Sequence, residues 1–302
     1  MSALESILGV LREPPPEFVF EIAADGIAMS RTRPPSAIQT VPLLPGVIAP
    51  SPVRENILDP EAFAEAVRRL APPQAGRNAK RRAALILPDN CVRIAVLDFD
   101  SLPAKEEERR PLINFRLRKS VPFDIDDAAL SYFPQAGNKV IVAVAPSEIV
   151  AHYEAPFRAA GFDTGLVTVS SLAMLDLFPV TGSIVIARVS PGALTVLALS
   201  DGVVTIVRSL ERAHADDAAP TESLAEIVAD VYPTLAYIED QAGSRPAKMF
   251  IAGFGPEAGA VAPLLAHELE IPVEPLDSMW PGIAGYLESL IAKAKPAKAK
   301  AA

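Results

Sequence analysis

Short apolar runs and longer amphipathic stretches alternate along the chain, separated by turn residues, and this pattern predicts a mixed α/β protein. Helical spacing of apolar residues predicts helices at 1–16, 59–70, 104–120, 147–160, 221–241, 257–270 and 281–294. Apolar runs bounded by turn residues predict strands at 17–23, 27–32, 83–87, 92–99, 129–133, 140–145, 183–189, 193–199, 203–209, 248–252 and 272–274. The Pro-rich stretch 34–51 is expected to be irregular.

Turn residues indicate how several of these strands are joined. Asp-Gly or Pro-Gly pairs at 25–26, 191–192 and 201–202 predict one hairpin near the N-terminus and a three-stranded antiparallel meander in the second half of the chain. The segment 71–82 is rich in Pro, Gly and basic residues and marks a boundary. After it, 83–162 has the order β-β-α-β-β-α, with a short turn between its first two strands. We expect this segment to form a complete small α+β subdomain.

Composition narrows the classes of function. The chain has 302 residues and carries 28 Lys or Arg against 37 Asp or Glu, and the net charge of -9 disfavours a nucleic-acid binder. No apolar run reaches the ~18 residues that a transmembrane helix needs, and the N-terminus does not read as a signal peptide, so we expect a cytoplasmic protein. The single cysteine, Cys91, can form neither an intrachain disulfide nor a cysteine zinc site.

Candidate catalytic chemistry is sparse in this sequence. The histidines, His152, His214 and His267, have no partner at the spacing of a metal site, and neither a G-x-S-x-G motif nor a P-loop occurs. A Gly-Phe-Gly turn at 253–255 lies between a strand and a helix, as in dinucleotide-binding folds. However, Pro256 interrupts that motif, and only one βα unit and a strand follow it. We therefore expect no catalytic residue and no metal site.

A resemblance to a known family spans roughly 17–290. A strand ends in a proline at 85–88, and a basic helix is followed by Pro122, Phe123 and an acidic run. Further matching segments are 140–145, 154–162, 201–209 and 271–277. In these segments the chain resembles the PilM-like proteins of type IV pilus assembly, in the FtsA/PilM group of the actin-like ATPase superfamily. The resemblance implies an α/β, two-lobed actin-like (ribonuclease H-like) fold with a small α+β subdomain inserted in the first lobe.

On this resemblance, the chain divides into two lobes, an insert and a C-terminal segment. The expected division is 17–82 plus 163–182 for the first lobe, 83–162 for the insert, 183–278 for the second lobe, 279–294 for a C-terminal helix and 295–302 for a disordered tail. The C-terminal helix is expected to return to the first lobe.

The family resembled here binds ATP through two hairpin loops, and both loops depart from the family pattern. In the first loop, residues 21–28 read Glu-Ile-Ala-Ala-Asp-Gly-Ile-Ala, so the small backbone-donor residues and the lysine of the family pattern are missing, and Asp25 would face a phosphate. In the second loop, Arg188 replaces the aspartate expected to organise magnesium, and Pro191 removes a backbone N–H. We expect a degenerate site with at most weak Mg-ATP binding, and a salt bridge between Arg188 and Asp25 across an empty cleft. The candidate residues of this site are Asp25, Gly26, Ser190, Gly192, Gly253 and Gly255.

Two alternatives to an empty, degenerate site stay open. Arg188 could supply the positive charge of the missing magnesium ion. Alternatively, the chain could be an active actin-like ATPase or a small-molecule kinase that binds Mg-ATP between the lobes. A kinase needs an acidic base near the second loop, where Arg188 and Pro191 stand instead.

The resemblance implies a bacterial scaffold protein at the cytoplasmic face of the inner membrane, a pseudo-ATPase rather than an enzyme. Its expected partner is a single-span, PilN-like platform protein, whose N-terminal peptide lies in a groove between the first lobe and the insert. Arg116, Arg118, Pro122 and Phe123 are expected at the edge of this groove. Phe123 could instead pack in the core of the insert. No nucleic acid is expected to bind.

Overall fold

The computed structural model describes residues 15–73, 81–212 and 220–294 of the chain. The expected helix at 1–16 and the expected tail at 295–302 lie essentially outside these residues. Within the described ranges, no helix has the length and apolar character needed to cross a bilayer.

The elements follow one another in the order of an α/β protein. The strands are β1 (Phe18–Ala23), β2 (Gly26–Arg31), β3 (Gln39–Pro42), β4 (Arg81–Leu87), β5 (Arg93–Asp98), β6 (Ala128–Pro134), β7 (Lys139–Pro146), β8 (Phe162–Val169), β9 (Ser183–Ser190), β10 (Ala193–Ser200), β11 (Val203–Glu211), β12 (Lys248–Ala252) and β13 (Val273–Pro275). The α-helices are α1 (Pro60–Leu70), α2 (Glu106–Leu117), α3 (Ser147–Ala159), α4 (Ser170–Ala173), α5 (Pro220–Ala242), α6 (Ala258–Leu269) and α7 (Pro281–Ala294).

The first lobe is built on a five-stranded sheet with the order β3-β2-β1-β4-β8. The hairpin predicted around the turn at 25–26 is confirmed, because β1 and β2 pair antiparallel with Ala23 opposite Gly26. The prediction that 34–51 is wholly irregular is wrong, because β3 adds a third antiparallel strand there. β3 is short and only Val41 is buried in it, so its sequence shows little of the alternation by which a strand is recognised.

The strand β4 lies inside the first-lobe sheet, where it pairs in parallel with β1 and β8. The expected β-β-α-β-β-α subdomain over 83–162 is therefore too wide at its start. Neighbouring strands with a short turn between them usually pair, but the 3₁₀ turn Asp89–Cys91 leads the chain out of one sheet and into another. The residues 83–87 are all fully buried, as is typical of a central strand with parallel neighbours.

The insert itself is a three-stranded antiparallel sheet with the order β5-β7-β6, covered on one face by α2. Its small core contains Ile113, Leu117, Ile125, Val140, Val142 and Val144. The opposite face of β7 carries Ile141, which belongs to the core of the first lobe. The helix α3, which we expected in the insert, packs Phe157 against Phe20 of β1, with 4.9 Å between the ring centroids. The insert is thus limited to about 92–146.

The second lobe has a five-stranded sheet with the order β11-β10-β9-β12-β13. The predicted meander is confirmed, since β9, β10 and β11 pair antiparallel in sequence. One face of β9 presents Val185 and Ala187 to a core shared with α5 and α6, whereas Ile184 and Ile186 join the core of the first lobe. The final helix α7 returns to the first lobe, as predicted, and buries Tyr286 there.

Candidate functional site

A buried cluster of three charged side chains lies where the two lobes meet. Glu21 comes from β1, Asp89 follows the end of β4, and Arg188 reaches across from β9 of the second lobe. The Arg188 guanidinium lies 3.1 Å from an Asp89 carboxylate oxygen and 3.7 Å from a Glu21 carboxylate oxygen. The side chains of Glu21, Asp89 and Arg188 are 1%, 0% and 7% exposed, so water screens these charges little.

Two hydrogen bonds hold Glu21, one from the first lobe and one from the C-terminal helix. The Ser170 hydroxyl donates to Glu21 Oε1 at 2.6 Å, and the backbone N–H of Ile283 donates to Oε2 at 2.9 Å. A Cβ atom at Gly282 would lie 2.9 Å from the same carboxyl group, so the start of α7 can approach Glu21 only as glycine. Burial raises the pKa of Glu21, while Arg188 and these hydrogen bonds oppose that rise.

Asp89 connects Arg188 to the short helix α4. Its Oδ1 accepts a hydrogen bond from the backbone N–H of Ser171 at 2.8 Å, and its Oδ2 accepts one from Arg188 Nη1 at 3.1 Å. The Nε atom of Arg188 is buried and has no hydrogen-bond partner among the described residues. Because α4 follows β8 directly, the cluster joins the ends of β1, β4 and β8 to the second lobe.

The predicted salt bridge between Arg188 and Asp25 is wrong. Asp25 is exposed in the turn between β1 and β2, and its backbone carbonyl accepts a hydrogen bond from the N–H of Leu43. Arg188 instead pairs with Glu21, which lies four residues earlier on the buried part of β1, and with Asp89. Neither Glu21 nor Asp89 is predicted from the sequence as a partner of Arg188. The signal available in the sequence was an acidic residue within or directly after a strongly apolar strand, where a charge needs a partner.

The predicted nucleotide-site residues occupy tight turns of both lobes. A Cβ atom at Gly26 would lie 3.6 Å from the Trp280 ring, so the first hairpin turn is packed beneath the start of the C-terminal helix. Ser190 and Gly192 share the turn between β9 and β10.

The glycine turn after β12 also packs against β9. Gly253 has a φ of +87°, and a Cβ atom there would lie 1.8 Å from the carbonyl oxygen of Val189, next to Ser190. Gly255 has a φ of +53° and faces open space. The turns carrying Ser190 and Gly253 are therefore neighbours, and their use as a nucleotide site stays a prediction.

The four predicted partner-binding residues lie on the insert. Arg116 stacks 5.4 Å from the centre of the Phe99 ring, and Arg118 forms a salt bridge with Asp126 at 2.7 Å. Pro122 is exposed, whereas Phe123 is half-buried and packs against the core of the insert. The part played by these residues in partner binding stays a prediction.

A cavity of about 650 Å³ lies between the insert and the first lobe, and we call it the lobe–insert groove. Its walls are formed by 129–134 of β6 and 166–169 of β8, with Glu106, Arg109 and Arg110 of α2 and Tyr286 of α7. None of the four predicted partner-binding residues lines it. β6 and β8 are each the last strand of their sheet, so each has one edge without a strand partner in the described part of the chain. Consecutive residues of both strands line the groove, which indicates that backbone as well as side chains faces it.

Comparisons with known proteins agree with the architecture. No family model and no curated protein matches the chain. A chain of the PilM–PilN type IV pilus biogenesis complex superposes with a TM-score of 0.74 and 18% identity, covering 94% of this chain and all of that one. The cytoplasmic domain of EpsL, an inner-membrane component of the Vibrio cholerae type II secretion system, gives a TM-score of 0.55, 12% identity and coverage of 91% and 94%.

A Bacteroides thetaiotaomicron protein with an actin-like ATPase fold and unknown function gives a TM-score of 0.52 and 11% identity, covering 89% of this chain and 94% of that one. At these identities the likeness concerns the fold, and the expectation of a two-lobed α/β architecture is confirmed. The chain has the PilM-like form of the actin-like ATPase fold.

Proposed function

We propose that this chain is a nucleotide-independent scaffold of a type IV pilus or related secretion platform, and that it binds the N-terminal peptide of a single-span membrane protein. The observation that carries the proposal is the lobe–insert groove, which runs between two strand edges. The fold likeness to a chain of the PilM–PilN complex supports the choice of system. On this proposal, the protein lies at the cytoplasmic face of the inner membrane through its partner.

The groove suits an extended peptide for three reasons. Unpaired strand edges offer backbone donors and acceptors at the spacing of a further strand, and pockets between alternate side chains supply selectivity. Partly exposed apolar side chains, among them Leu130, Phe133 and Leu166, give the peptide surface to bury. Arg110 is exposed at the α2 side of the groove, where it favours an acidic group on the peptide, whereas the neighbouring Arg109 already donates to the carbonyls of Pro103 and Ala104. The Tyr132 hydroxyl is buried there without a hydrogen-bond partner among the described residues, so a peptide could supply one.

The buried charge cluster supports the nucleotide-independent part of the proposal. Magnesium requires free carboxylate or water oxygens, but Glu21 and Asp89 already share the positive charge of Arg188 between the lobes. Pro191 has no backbone N–H to offer a phosphate in the turn between β9 and β10. These residues fit Mg-ATP poorly, and an active ATPase or kinase would need Arg188 to leave both carboxylates.

Filling the groove tests the proposal. The probe is a synthetic peptide with the N-terminal sequence of the single-span membrane protein encoded next to this chain, titrated by calorimetry. Ala129 is exposed at the wall of the groove, so Ala129→Trp should block binding while leaving the melting temperature unchanged. Ala236→Trp, at an exposed position on α5 of the second lobe, is the matched control and should bind normally. Equal affinity of the Ala129→Trp variant and the wild type would place the peptide elsewhere.

A further inference from the structure

One side chain of the insert binds a backbone segment of the second lobe, in addition to the contact between β5 and β11. The Gln135 amide donates from Nε2 to the carbonyl oxygen of Val204 at 2.9 Å, and the N–H of Val204 donates to Gln135 Oε1 at 2.8 Å. The two hydrogen bonds together reproduce the pairing that a neighbouring strand would make. No other side chain of the described insert makes such a double contact with the backbone of the second lobe.

The position of Val204 in β11 leaves its backbone N–H and carbonyl available to Gln135. β11 is the last strand of its sheet, and a bulge between the pairs at Ala198 and Leu199 interrupts its register with β10. Gln135 takes both backbone groups of Val204, so these groups point away from β10 toward the insert. β5 of the insert also contacts β11, and the Val204 side chain is fully buried in the shared core.

The backbone of Gln135 is also held in place, by a hydrogen bond within the insert. It follows β6 directly, and its N–H donates to the carbonyl oxygen of Lys139 at 2.7 Å, which closes the hairpin between β6 and β7. The wall of the groove formed by 129–134 therefore ends at the residue that holds the second lobe. The opposite wall, 166–169, belongs to the first-lobe sheet. The position of the first wall therefore depends on the placement of the second lobe as well as on the packing of Ile141 in the first-lobe core.

We infer that Gln135 is a positioning residue through which the second lobe sets the width of the lobe–insert groove. The inference deepens the proposed function and rests on it for its biological meaning. Arg188 completes the arrangement, because it fixes the second lobe to Asp89, two residues after Leu87 of the groove. A change in the placement of the second lobe should then change the affinity for the peptide.

Removing the side-chain amide separates this role from a merely local one. In Gln135→Ala, amide hydrogen exchange should become at least about tenfold faster in 129–134, which corresponds to about 1.4 kcal/mol of lost protection, while exchange in 166–169 stays unchanged. Affinity for the synthetic partner peptide should fall by a similar factor, mainly through faster dissociation. Asn138→Gly is the matched control, because Asn138 lies in the same hairpin turn but donates within the insert, to the carbonyl of Asp100 at 3.0 Å, and glycine tolerates its φ of +58°.

The two readouts separate the failure of this inference from the failure of the proposed function. If wild-type protein does not bind the peptide, the proposed function fails, and hydrogen exchange alone decides the role of Gln135. Unchanged exchange in 129–134 of Gln135→Ala overturns the inference, as does faster exchange with an unchanged peptide affinity. If Gln135→Ala does not fold, Gln135→Glu replaces it, because the ionised carboxylate keeps the acceptor for the Val204 N–H and loses only the donor. The same loss of protection in Asn138→Gly would also contradict a role specific to Gln135.

Discussion

Replacing Arg188 with methionine tests whether the buried charge cluster holds the two lobes together. Among the described residues, Arg188 is the only salt-bridge partner of Glu21 and of Asp89, and the carboxylate side chains are 1% and 0% exposed. Methionine restores much of the apolar volume but leaves both carboxylates buried without a cation. Breaking such a buried pair costs about 3–5 kcal/mol. In a chain of this size that corresponds to a fall in melting temperature on the order of 10 °C.

Thermal unfolding followed by circular dichroism measures this loss. Arg208→Met is the matched control, because Arg208 lies on β11 and donates to the Thr234 hydroxyl at 3.0 Å within the second lobe. Its loss should cost about 1 kcal/mol, the usual contribution of one hydrogen bond. The triple variant Glu21→Gln, Asp89→Asn, Arg188→Met removes all the charges together and should recover part of the stability. An Arg188→Met variant that melts with the wild type would refute the reasoning, since the carboxylates would then not need the guanidinium.

Three further predictions concern the pH dependence of the charge cluster, the C-terminal helix and the insert. The loss of stability caused by Arg188→Met should shrink as pH falls from 8 toward about 4.5. Burial raises the pKa of Glu21 and the loss of Arg188 raises it further, so the folded variant takes up a proton that removes the unpaired charge of Glu21. Equal losses of stability at both pH values would contradict this. Gly285→Ala should lower the free energy of unfolding by about 1–3 kcal/mol, because its Cβ would lie 2.3 Å from a backbone oxygen of α4. As the control, Gly259→Ala in α6 meets open space and should be neutral or stabilising. Urea denaturation measures both variants. Phe123→Ala should lower the melting temperature and leave binding of the partner peptide unchanged, because Phe123 packs on the core of the insert and does not line the groove. Lost binding with an unchanged melting curve would contradict this and would indicate that Phe123 contacts the peptide.

Local sequence signals were sufficient for most elements of the second lobe. The turns at 191–192 and 201–202 fix the two hairpins of the meander, and the apolar stripe of 221–241 identifies the long helix. The same signals fail for β4, because periodicity reports that a strand is buried and not which sheet contains it. The parallel pairing of β4 with β8 joins residues about eighty positions apart, which no short window of sequence contains.

The candidate sites were predicted less completely than the fold, because their contacts also join residues that are far apart in the sequence. Arg188 was identified from its place in the second hairpin loop, but its partners lie 167 and 99 positions away in the chain, at Glu21 and Asp89. The groove was expected between the first lobe and the insert on the strength of a resemblance, and a cavity lies there. Its lining differs from the four residues proposed for its edge, because the basic helix presents Arg109 and Arg110 to the groove, and Arg116 and Arg118 do not line it.

The account depends most directly on whether the partner peptide binds without a nucleotide. The measurement is a calorimetric titration of the synthetic N-terminal peptide into the wild-type protein, with and without millimolar Mg-ATP, together with a titration of Mg-ATP alone. The account predicts the same peptide dissociation constant in both conditions and no measurable heat from Mg-ATP. Micromolar binding of Mg-ATP, or peptide binding that appears only in its presence, would contradict it.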